Sequence, residues 1–184
     1  DYKNCTRIDV SASICMDIIL ADFINYYNRC EKNNYHVYVN KIIPINFEKP
    51  HIKKVLFSIG AFRNIKGLKI DFEDIIAYPL CIGDKNHKMF SQEREIHITK
   101  MVDYIVDCLN KMNRNLTADA ETNLYKVIGE VIINAEEHST TSKRYSIGYF
   151  EEISNENEHY RIFNLAILNF GKTIYETVKD PECK

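Results

Sequence analysis

Apolar positions along this chain recur at intervals of three to four residues in some stretches and of two in others, and their succession predicts its elements. Arg7 to Val10 predicts a short strand. Ser13 is placed to cap a helix running to about Cys30, with Met16, Ile19, Leu20, Phe23, Ile24 and Tyr27 at helical spacing. After a polar turn, Tyr35 to Ile43 alternates as a strand does, and Pro44 ends it. A short helix is expected over His51 to Phe62, with Val55, Leu56 and Ile59 facing inward. Residues 66 to 88 read as a linker, because they hold Gly67, Pro79, Gly83 and the polar run Asp84 to Lys88, although Ile75 to Leu80 can add an edge strand.

Beyond residue 88 the periodicity is stronger. A helix over Gln92 to Met112 carries Met101, Tyr104, Ile105, Cys108, Leu109 and Met112 on one stripe. A second, over Ala118 to His138, carries Leu124, Val127, Ile128, Val131, Ile132 and Ala135. Arg144 to Glu152 and His159 to Leu168 then read as strands joined by a polar turn. The expected fold class is α/β (α+β): a small N-terminal α/β unit over residues 1–88, and an α/β sandwich over residues 89–184 with helices on one face of a mixed or antiparallel sheet.

A net charge of −2 over 184 residues, with both signs interspersed, leaves no basic footprint for nucleic acid. No apolar run is long enough to span a bilayer, and the N-terminus shows no signal pattern. The six cysteines are scattered without a Cys-x-x-Cys pair, so buried thiols in a cytoplasmic protein are expected, Cys15, Cys30 and Cys108 as core filler. The histidines His36, His51, His87, His97 and His159 lack metal-ligand spacing. The tyrosines Tyr26, Tyr27, Tyr145 and Tyr149 fall on periodic positions and are expected to pack.

The chemistry concentrates in Gly129 to His138. At about 100° per residue, Glu130, Asn134, Glu137 and His138 occupy one helical sector roughly 100° wide, beside the apolar stripe. An amide oxygen is a hard ligand suited to magnesium, and a carboxylate one turn earlier can orient or deprotonate water. A polar helix edge facing solvent has the same composition, so this spacing alone does not identify a site. About thirty residues later the apolar run Phe163 to Leu168 enters Asn169-Phe170-Gly171-Lys172-Thr173, followed by a helix-like segment.

Glu130-x-x-x-Asn134-Ala135-x-x-His138 resembles the N box of the histidine-kinase/gyrase (GHKL) ATPase superfamily, and Asn169-x-Gly171-x-Thr173 resembles its first glycine box, Asp-x-Gly-x-Gly. The order, the separation and the strand hairpin between them match over about residues 92 to 184. The resemblance implies a site for ATP and magnesium. Asn134 would coordinate the metal, Glu130 would act as general base, and His138 would lie near the phosphates. Asn169 would contact the adenine amino group, and Gly171 would let the base approach. Asn169 stands where the family has aspartate, keeping an acceptor oxygen without its charge. Thr173 stands where the family has a second glycine.

The family's ATP lid and second glycine-rich loop would follow, whereas this sequence stops at Lys184, so weak nucleotide binding, or none, by these residues alone is expected. The N-terminal unit resembles a STAS-type regulatory unit in its strand–helix order. The function these features imply is a nucleotide-binding regulator with a protein partner, hydrolysing ATP or transferring phosphate to serine as anti-sigma kinases do. The alternative is a non-catalytic interaction module whose nucleotide site has degenerated, which the substitutions at Asn169 and Thr173 favour.

Overall fold

A computed structural model describes residues 1–32, 46–60, 72–154 and 159–171. The described residues form four helices, α1 (Val10–Lys32), α2 (Pro50–Ser58), α3 (Phe90–Lys111) and α4 (Ala118–Glu137), and three strands, β1 (Ile75–Asp84), β2 (Ser139–Ser154) and β3 (His159–Gly171). The strands make one antiparallel sheet in the order β1-β2-β3, so β2 is central. The strand expected at Tyr35 to Ile43 and the site residue Thr173 lie outside the described residues.

Each face of β2 is apolar in its own right, and each has its own helical cover. On one face Tyr78 of β1 and Phe150 of β2 pack with Ile98, Met101, Val102, Tyr104 and Cys108 of α3 and with Ile128 and Ile132 of α4. On the other, Tyr145, Ile147 and Tyr149 of β2 pack with Val10 and Ile14 of α1, with Val55 of α2 and with Ile59 just past its end. The two helices of residues 89–184, α3 and α4, thus share one face of the sheet, and α1 and α2 from residues 1–88 cover the other. The cause is the strand period: alternate residues of β2 point to opposite sides, and both sets must leave water. β1 precedes the boundary read at residue 88 and pairs with β2 beyond it, Ile75 opposite Glu151 through Asp84 opposite Lys143.

Three local expectations also change. Residues 7–9 are not a strand; Asp9 accepts from the Ser11 amide at 2.8 Å and starts α1, so Ser13 lies inside the helix, fully buried. The buried side of α1 is Val10, Ser13, Ile14 and Asp17, while Ile19 and Phe23 are exposed, as is Cys15. On α4 the stripe is rotated: Ile128 and Ile132 are buried with Gly129 and Glu136, whereas Val127 and Val131 are 58% and 43% exposed. Helix α3 keeps its expected stripe, and Val55 and Leu56 of α2 and Ile59 at its C-cap are completely buried. Thr117 caps α4 by accepting from the Ala120 amide, as a threonine before an amphipathic run can.

Candidate functional site at the α4–β3 junction

The last turn of α4 lies against the end of β3. Asn169 donates its Nδ2–H to the Ala135 carbonyl at 2.8 Å, which leaves its Oδ1 unused by that contact. Gly171 pairs with Ser139, and a Cβ added there would sit 2.0 Å from the His138 carbonyl oxygen. Only a residue without a side chain permits that approach. The two segments singled out in the sequence are thus adjacent. Glu130 and Asn134 of α4 and His138 at its C-cap are exposed, as are Val127 and Val131.

Beneath this turn runs a cross-strand row. Arg144 of β2 stands opposite Gly83 of β1 and Asn169 of β3, and neighbours across antiparallel strands project to the same face. The Arg144 side chain lies over Gly83, where an added Cβ would be 2.6 Å from Nη2. Its Nε donates to Glu136 Oε1 at 2.9 Å, with Arg144 1% and Glu136 4% exposed. Arg94 of α3 brings its Nε to 2.8 Å from Glu136 Oε2, where the two atoms meet as charges without hydrogen-bond alignment. Arg144 Nη2 also approaches His97 Nδ1 at 3.5 Å, and burial, then the Arg144 charge, push the His97 pKa down. Lys85 adds its ammonium to the Glu136 carbonyl at 3.0 Å and to that of Ser139 at 3.4 Å.

A second polar cluster lies on the opposite face of the sheet. Glu151, 2% exposed, accepts from Lys54 Nζ at 2.7 Å and from the Tyr149 hydroxyl at 2.9 Å, with His51 Nδ1 at 3.2 Å. Lys54 also pairs with Asp74. Burial would raise the Glu151 pKa, but the bonds from His51, Lys54 and Tyr149 outweigh it and hold the carboxyl at about 2. His51, Lys54, Asp74, Glu151 and His159 line an open cleft of about 650 Å³. No local sequence pattern discloses either cluster: His51 and Glu151 are a hundred residues apart, and Glu136 meets Arg144 only across a helix and a strand.

Chemically, the α4–β3 junction offers oxygen donors on an exposed helix face at a helix C-terminus. That end carries partial negative charge and favours a cation over an anion. Asn134 suits a magnesium ion that keeps most of its waters and takes phosphate oxygens, and Glu130 lies one turn away on the same helix. Among the described residues no group of His, Cys, Asp and Glu is arranged to hold a metal by protein ligands alone, and no helix is long and apolar enough to cross a membrane. Compared with known proteins, the chain matches no family model, no curated protein and no solved structure.

Proposed function

We propose that the α4–β3 junction is a GHKL-type nucleotide site and that the chain acts as an ATP-binding regulatory protein. The observation that supports this most is the meeting of α4 and β3 through the Asn169–Ala135 hydrogen bond and the close passage of Gly171 by His138. It brings Asn169 and Gly171 against the backbone of Ala135 and His138, in the turn that carries Asn134, although some thirty residues separate the two segments. Glu130 and Asn134 themselves are exposed on the side of α4 away from its buried line. In this reading Asn134 supplies an amide oxygen to magnesium, which would neutralise phosphate charge when bound. Glu130 holds a water or hydroxyl by accepting its proton. His138 lies on the phosphate side, and Asn169 presents Oδ1 to the adenine amino group. With Glu130 as base the site suits ATP hydrolysis or phosphoryl transfer to a serine of a protein partner.

One observation favours the second reading, an interaction module without catalysis. Asn169 and Gly171 both have structural duties, toward Ala135 and His138, that account for them without a ligand. Calorimetric titration of ATP and of ADP into the full-length protein, with magnesium and with a chelator, separates the two. Magnesium-dependent heat supports the nucleotide site, and its absence with both nucleotides supports the interaction module.

A further inference from the structure

We propose that Arg144, seated over Gly83 and paired with Glu136, is a positioning residue that sets the last turn of α4 so that Asn134 and His138 meet the nucleotide; this rests on the reading just given. The last turn is held from three sides. Arg144 grips the Glu136 side chain, Asn169 grips the Ala135 carbonyl and Lys85 grips the Glu136 carbonyl. All three contacts fall within two residues of Asn134, and two come from one cross-strand row.

The composition of the cluster argues for precision rather than bulk stability. Two guanidiniums share one carboxylate, and Arg144 Nη1 is buried without a hydrogen-bond partner. A buried pair of this kind recovers little more than its own desolvation, and apolar residues of similar volume would stabilise the same space as well or better. What an apolar filling would lack is direction. The guanidinium is a rigid fork whose donors fix the carboxylate, and hence the turn, in angle as well as distance. Gly83 completes the device, because any side chain there would occupy the guanidinium's place.

Gly83→Ala and Lys85→Met test this without touching Asn134, His138 or Asn169. Alanine at position 83 drives a methyl into the Arg144 guanidinium, and methionine at position 85 removes the ammonium from an exposed position, where folding tolerates the change. In the ligand-free full-length protein, amide hydrogen exchange at residues 134 to 138 should quicken about tenfold in each variant, the scale of one charged hydrogen bond. Exchange in the first half of α4 should change less than twofold. Magnesium–ATP should bind about tenfold more weakly, with the metal-free component changed less than twofold. Uniform or unchanged exchange along α4 overturns the proposal. Faster exchange at the turn with unaltered magnesium–ATP affinity overturns the positioning role while leaving the nucleotide reading intact. If the unsubstituted protein takes up no magnesium–ATP, the nucleotide reading itself falls, and the positioning role with it.

Discussion

Glu151 is a carboxylate that folding removes almost wholly from water and then surrounds with donors. Its folded pKa of about 2 lies below the ordinary 4.5, so its contribution is complete above that ordinary value and is lost as pH falls toward 2. The difference corresponds to about 3 kcal/mol. Urea midpoints measured from pH 7 down to pH 2.5 should fall steeply below pH 4.5, and Glu151→Gln should flatten that dependence; parallel curves would contradict the assignment. At the other cluster, Glu136→Ala should destabilise by about 3–5 kcal/mol, because it strands Arg144 as a buried charge beside Arg94. Replacing Glu136 and Arg144 together by apolar residues should cost far less, and denaturant unfolding of the single and double variants decides it. Neither cluster was legible from the sequence. A glutamate on a polar helix edge looks the same whether solvent or an arginine from a later strand receives it, and Glu136 lies between Asn134 and His138, both exposed. What the residue pattern did disclose was the set of exposed polar groups on α4, which depends only on helical geometry.

Elements were legible where one face alone decides burial. Helix α3 packs one stripe, on the positions its spacing indicates. β2, buried on both faces, and β3 are legible as strands without their full extent: β2 begins at Ser139 rather than Arg144 and β3 runs to Gly171 rather than Leu168. β1 was read mainly as a linker because Pro79 and Gly83 look like breakers. At an edge strand they are tolerated: Pro79 falls in the register shift between Tyr78 and Cys81, and Gly83 makes room for Arg144. The α4 stripe was misplaced because Glu136, carried inward by Arg144, turns the buried line away from Val127 and Val131. Gly171 shows how a motif position acquires a packing duty. Gly171→Ala puts a methyl into the His138 carbonyl and should cost about 1–3 kcal/mol in denaturant unfolding while parting β3 from α4. An unchanged midpoint would mean that the strand end yields freely and that the junction is not fixed.

For the molecule as a whole, the sheet lies between two helical layers, and α1 and α2 cover Tyr145, Ile147 and Tyr149 much as α3 and α4 cover Tyr78 and Phe150. Burial shared in this way favours one cooperative transition. Thermal unfolding followed by helical circular dichroism and by the near-ultraviolet tyrosine signal should therefore coincide; two separated midpoints would mark residues 1–88 and 89–184 as independent units. The central claim is that α4 and β3 together hold a nucleotide through a metal, and Asn134 is where that claim is most exposed. On that claim Asn134→Ala would remove one oxygen from the metal's shell while leaving the Asn169–Ala135 contact, which uses only the backbone of α4. Alanine is also a strong helix former, so α4 should persist. The deciding measurement is an ATP titration of the full-length protein and of Asn134→Ala, each with magnesium and with a chelator. The account predicts that the unsubstituted protein gains affinity with magnesium and that Asn134→Ala loses that gain while its metal-free binding stays the same. Full magnesium dependence retained by Asn134→Ala, or no nucleotide binding in either protein, would contradict it.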